Sequence, residues 1–133
     1  MDKPLPSIAR ITFIVHLIVA IVFGVGLLVI PDTFNRWGGF SAAPADYISV
    51  LRCFGACILG LGGVTSMYGA MAKSWAKVDY IVRAEISYLA IQTVVWLIAG
   101  IMGDAPALGI WLNAAVSIVL LALFVWTWFA RPK

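Results

Sequence analysis

Four apolar runs, separated only by short polar breaks, constrain this chain more than any other feature. They span 10–30, 46–72, 78–102 and 106–130. A helix needs about 20 residues to cross the hydrocarbon of a bilayer, and only a helix or a closed barrel satisfies its own backbone there. Each run is long enough. The expected fold is therefore all-α, an integral membrane bundle of four transmembrane helices forming one domain over 1–133. Composition agrees. Hydrophobic residues make up 63% of the chain, charged residues 11%, and the mean hydropathy is +1.03.

The breaks have the chemistry of helix ends. Pro31, followed by Asp32 and Thr33, stops the first run, because proline lacks the N–H that would continue it. Asp46 after "SAAPAD" is placed as the N-cap of the second run, which ends before "KSWAK". The third run ends at "GDAP"; Pro106 is placed in the first turn of the fourth, and "RPK" closes it. Although Lys3 and Arg10 precede the first run as they would in a signal peptide, its length and the lack of a small-residue cleavage site make it a retained helix. The connection 31–45 is expected to form a short structured cap or re-entrant turn.

An even number of spans puts both termini on one side. Lys3, Arg10, Lys73, Lys77, Arg83, Arg131 and Lys133 fall on that side, and only Arg36 and Arg52 on the other. The positive-inside rule makes the terminal side cytoplasmic. The net charge of +3 then reflects topology and lipid headgroups, and no basic domain supports a nucleic-acid partner. Trp37, Trp75, Trp111, Trp126 and Trp128 lie near span ends, as interfacial anchors do.

Small residues mark faces where helices approach closely in lipid. The second run carries Ala56 and Gly60, Gly55 and Gly63, and Gly62, Ser66 and Ala70, on more than one face, which makes it the expected central helix. Ala20 and Gly24 in the first run and Ala99 and Gly103 in the third offer further contacts.

Counting ~1.5 Å of rise per residue from each end sorts the polar residues into two layers. Arg52, Trp96 and Asn113 share one depth near the outer side, with Gln92 a turn deeper. An arginine at mid-membrane costs at least about 2.5–3.5 kcal/mol and less near the interface, so Arg52 is expected to face the bundle and pair with Asn113 or an aspartate at the outer helix ends. Arg52, Gln92, Trp96 and Asn113 are thus the candidate wall of a cavity for an anionic or carbonyl-bearing lipophile; the plainer alternative has Arg52 snorkelling to headgroups. His16 and Glu85 form the second layer, ~9–10 Å below the terminal side, with Arg83, Tyr88 and Ser66 near that level. A carboxylate in lipid has to be protonated or paired, so the pair is either a structural ion pair or a proton relay.

Other chemistry is not expected. His16 is the sole histidine, so a bis-histidine haem within one chain is excluded, and single ligation would need a partner chain or a methionine such as Met67. Cys53 and Cys57, four apart on one helix, suit packing better than a disulfide or a metal and are expected to be buried. No GxSxG, HExxH or phosphate-binding glycine loop occurs, so no catalytic residue, cofactor or metal is assigned and no enzymatic activity is expected.

The stretch "LRCFGACILGLGG" at 51–63, the third span ending at "GDAP" and the "WLN" at 111–113 resemble the DoxX-like group of small four-helix membrane proteins, from about Phe23 onward. The resemblance implies a four-helix bundle in the cytoplasmic membrane of a prokaryote, with Arg52 and Asn113 as family positions and no catalytic residue carried over. The group's namesake is a small subunit of a quinone-linked membrane oxidoreductase. Two functions are therefore expected to compete. One is an accessory or assembly subunit of a larger membrane complex, redox-linked by analogy and partnered by other membrane subunits or by copies of itself. The other is a lipid- or quinone-type lipophile-binding or carrier protein.

Overall fold

The computed structural model describes residues 3–104 and 107–132. Among them it is entirely helical apart from short connections. Helix α1 covers Ser7–Val29, a short α2 covers Pro31–Trp37, and the second span runs Ala45–Met71. That span comprises α3 (Ala45–Cys57), a π-helical stretch (Ile58–Gly63) and α4 (Val64–Met71). A 3₁₀ turn at Trp75–Lys77 leads to α5 (Asp79–Met102), and α6 (Ala107–Phe129) closes the chain. Four helices are thus long and apolar enough to cross a membrane, at the places the apolar runs predict. The placement of Pro106 in the first turn of the fourth span lies outside the described residues.

Two boundaries correct the sequence reading. Pro44, in extended conformation, caps α3, while Asp46 sits inside the first turn. There its carboxylate accepts the Tyr47 N–H at 3.1 Å and complements the positive end of the helix dipole. The connection after α1 is built as a helix. Pro31 starts α2, Arg36 pairs with Asp32 at 3.0 Å, and Asp32 Oδ1 accepts the Ala43 N–H at 2.9 Å, tying the two ends of the cap together. That backbone N–H, aided by Arg36, holds the Asp32 carboxyl below its usual range.

The two ends of the bundle differ. At the terminal side, Leu5 N–H donates to the Lys73 carbonyl (3.2 Å) and Trp75 N–H to that of Lys3 (3.0 Å), so the segment before α1 pairs with the connection before α5. Trp75 packs near Trp128, ring centroids 6.2 Å apart. The guanidinium groups of Arg83 and Arg131 lie 4.7 and 4.0 Å from the Trp128 ring, and Arg83 pairs with Asp79 at 3.1 Å. The apolar core fills this half of the molecule: Phe13 meets Phe124 edge-on at 5.5 Å, among Val78, Val82 and Leu89.

Helix α1, not the second span, is central. It packs on α3, the π stretch, α4 and α6, and 39% of its apolar window is buried against 17% for the second span. The small residues of the second span divide between two surroundings. Gly55 lies against α1 so closely that a Cβ there would stand 2.7 Å from the Gly24 carbonyl oxygen, whereas Ala56 and Gly60 face outward. Glycines on several faces therefore made the span look central when only one face is packed. Helix α5 packs chiefly on α6, so the second and third spans stand apart over most of their length and meet through side chains at Thr65 and Glu85.

Candidate functional site: a lateral cavity between the second and third spans

The separation of these two spans creates a cavity of about 470 Å³. Its floor is α1 and α6, and its sides are the second span and α5. Phe23, Phe54, Trp96 and Asn113 lie at the loop end, Gln92, Ile58 and Ser117 in the middle, and His16, Thr65 and Glu85 toward the terminal side. Phe54, Leu61, Tyr80 and Tyr88 line the cavity and are also exposed on the bundle surface, so the cavity opens sideways, where lipid would stand.

Local structure explains this shape. The stretch "ILGLGG" adopts i→i+5 hydrogen bonding, which widens the turn and disturbs the regular pairing of its carbonyls. Thr65, at the start of α4, turns its hydroxyl back onto the carbonyls of Leu61 and Gly62 and also stands 3.2 Å from Glu85 Oε1. Gly62 faces the cavity beside His16; a Cβ there would meet Ala20 Cβ at 3.5 Å and His16 Nε2 at 3.7 Å, ordinary contact distances.

The polar cluster at the terminal end links three helices. Ser66 Oγ and His16 Nδ1 are in hydrogen-bond contact at 2.8 Å, and His16 Nδ1 lies 3.9 Å from Glu85 Oε1. The imidazole ring packs edge-on against Phe124 at 5.3 Å. Both ionisable side chains are largely withdrawn from the surface, with 7% and 10% exposure. Such a network fixes each side chain in place, since a buried polar group without a partner costs about 1–3 kcal/mol. Arg83, from the same depth, turns away toward Asp79 and Trp128.

The candidate residues sort as follows. Gln92, Trp96 and Asn113 share the cavity wall, as expected, with the Asn113 amide nitrogen donating to the Gly109 carbonyl at 2.7 Å. His16 and Glu85 approach each other, and they line the same cavity, so the two expected layers are the two ends of one space. Arg52 does not join them. It is exposed, and among the described residues it makes no ion pair or hydrogen bond. Phe54 follows it by two residues, roughly 200° around a helix, so the cavity lies on nearly the opposite face. Asp32, one of the expected partners, is instead held by Arg36 and the Ala43 N–H. Arg52 is thus exposed on the bundle surface, next to buried Leu51.

Cys53 and Cys57 are free thiols and both are exposed, contrary to the expectation of burial; Cys57 lies at the cavity edge. Thr65 and Ser117 are the polar residues the sequence reading passed over. Thr65 was within reach of the depth argument, standing six residues from the end of its span as Glu85 stands six from the start of α5. Among the described residues no group of three or more His, Cys, Asp or Glu side chains is placed to hold a metal ion. Comparison with family models, curated proteins and solved structures yields no match.

Proposed function

We propose that this protein is a multi-pass membrane protein that binds a lipophile in the lateral cavity between its second and third spans. The observation that carries this reading is the cavity itself. It has the volume of a small-molecule site, about 470 Å³, with apolar walls and a few convergent polar groups, which is the composition of ligand sites generally. Its side opening suits a ligand that arrives through the bilayer. The polar groups at its two ends would orient a bound molecule along the spans.

The sign of the ligand differs from the one that Arg52 suggested. With Arg52 on the opposite face, no lysine or arginine lines the cavity among the described residues. An anionic headgroup finds no counter-charge there. A lipophile without negative charge that carries a polar group matches Gln92 and Asn113 at one end and the His16–Glu85 cluster at the other. The topology that accompanies this reading places both termini in the cytoplasm, on the strength of the Lys/Arg asymmetry, and the DoxX-like resemblance suggests a prokaryotic membrane.

A second reading, accessory subunit of a larger membrane complex, is favoured by one separate observation. Ala56 and Gly60 expose a flat face on the outside of the second span, where a Cβ on Gly60 would meet nothing within 4 Å. That face would admit another helix closely. This reading accords with the DoxX-like resemblance, and a redox link would rest on that analogy alone.

Binding of diphenylhexatriene, a neutral fluorescent lipophile, to the purified protein in phosphatidylcholine nanodiscs tests the first reading. Energy transfer from the tryptophans to a saturable bound population, lost in Gly62→Leu, is the expected result. A signal equal to that of empty nanodiscs would remove the reading.

A further inference from the structure

We infer that the preferred ligand of the cavity is a lipophilic cation, held by Glu85 in exchange for one proton, with its organic body along the aromatic and apolar wall; the inference rests on the lipophile-binding reading above. Three features of the wall point the same way. Glu85 is the acidic side chain on it, and among the described residues no lysine or arginine lines the cavity to oppose it. Tyr88, one turn along α5 from Glu85, and Tyr80 line the same space, and Phe23, Phe54 and Trp96 line its loop end. Aromatic faces attract cations through their quadrupoles, by up to about 2 kcal/mol or more when desolvated, and aromatic cages are a recurrent way of holding quaternary ammonium groups. Finally, most of the remaining wall is apolar, with Val19, Ala20, Ile58, Leu61, Leu89 and Val116 among it, which suits the organic body of such a cation and disfavours a hydrated metal ion.

The proton follows from charge balance. The groups in contact with Glu85 are His16 from α1 and Thr65 from α4, with Ser66 bonded to His16 in turn; Cys57 on the second span, Tyr80 and Tyr88 on α5 itself and Ser117 on α6 line the same cavity. None of these is a fixed cation. An uncompensated carboxylate in an apolar space is costly, so the empty site keeps one proton within the His16–Glu85 pair, either on the carboxyl or on the imidazole. Entry of a monovalent cation restores neutrality only if that proton leaves. In either form the exchange is the same: the neutral pair and the cation become neutral His16, ionised Glu85 with the cation beside it, and one proton released to water. Thr65 and Ser66 keep the two side chains oriented throughout, through their contacts of 3.2 and 2.8 Å.

The test uses two probes of the same shape and opposite charge, tetraphenylphosphonium and tetraphenylborate, on the full chain in phosphatidylcholine nanodiscs. Binding above that of empty nanodiscs is read by equilibrium dialysis, with diphenylhexatriene as the neutral reference. The expected result is at least tenfold tighter binding of the phosphonium than of the borate, with phosphonium affinity rising as pH rises, up to tenfold per unit. Glu85→Gln, which keeps the size of the side chain, should abolish both the preference and the pH dependence while leaving diphenylhexatriene bound. Borate binding as tight as phosphonium binding in the wild type would overturn the inference, and that comparison does not depend on any variant folding. So would a phosphonium preference that survives Glu85→Gln, or phosphonium binding that is flat with pH. In each of these cases diphenylhexatriene binding lost in Gly62→Leu leaves the lipophile reading standing; failure of the neutral probe as well removes both.

Discussion

Three glycines of the second span, each replaced by alanine, separate packing from ligand binding. At Gly55 the new methyl would stand 2.7 Å from the Gly24 carbonyl oxygen and 2.8 Å from the Leu28 nitrogen, both backbone atoms that move only if α1 and α3 separate. Overpacking of this kind costs about 1–3 kcal/mol. At Gly60 the methyl meets nothing within 4 Å, and at Gly62 it makes ordinary contacts of 3.5–3.7 Å. Those two substitutions should gain the roughly 0.5–1 kcal/mol that separates alanine from glycine in a helix interior. Because the same propensity gain applies at Gly55, the gap between Gly55→Ala and Gly60→Ala is the overpacking cost, about 1–3 kcal/mol, roughly fivefold to more than a hundredfold in the unfolding equilibrium. Reversible unfolding in mixed micelles, followed by circular dichroism, measures it. Diphenylhexatriene binding supplies the second axis: Gly62→Ala should weaken it, since the methyl enters the cavity, and Gly60→Ala should leave it unchanged. Equal stabilities for Gly55→Ala and Gly60→Ala would refute the close contact of α1 with α3, and equal ligand binding for Gly62→Ala and Gly60→Ala would refute the position of the cavity.

Other consequences can be checked separately. Ser66→Ala removes the contact to His16 Nδ1 and leaves a buried ring nitrogen without it, so it should destabilise the bundle by about 1–3 kcal/mol in the same unfolding assay. Arg52→Ala should change stability by no more than about 0.5 kcal/mol, as an exposed residue does, and should leave diphenylhexatriene binding intact. Asp32 gives a pH dependence. The Ala43 N–H holds its carboxyl below the ordinary value of 3.8, so its contribution to the cap is complete above that pH and is lost as pH falls through the lower folded-state value. Protection of the Ala43 amide in hydrogen exchange should accordingly fall in that acidic window, and Asp32→Asn should remove the pH dependence.

The spans were legible because hydropathy, proline and small polar clusters all mark the same boundaries. The first run, read as 10–30, is Ser7–Val29, and the third, read as 78–102, is Asp79–Met102. Depth was legible too, since a fixed rise per residue converts position into height. That is why Gln92, Trp96 and Asn113 meet on one wall and why His16 finds Glu85. Azimuth was not. Whether a residue faces the bundle depends on which helices pack together, and glycine on several faces of the second span gave no unique answer. Arg52 was assigned inward by the cost of its charge, although its depth near the interface leaves the snorkelling solution open. The π stretch was equally hidden: "ILGLGG" is compatible with an ordinary helix, and its wide turn became visible only with the backbone. The cavity depends on both, because it exists where the second and third spans fail to meet.

Native mass spectrometry of the protein released gently from its own membrane tests the central claim most directly. The account predicts a chain, alone or as copies of itself, that retains one lipophile, and a Gly62→Leu variant that is released without it. A wild-type chain that emerges empty, or one whose bound lipid is retained equally by Gly62→Leu, would contradict it.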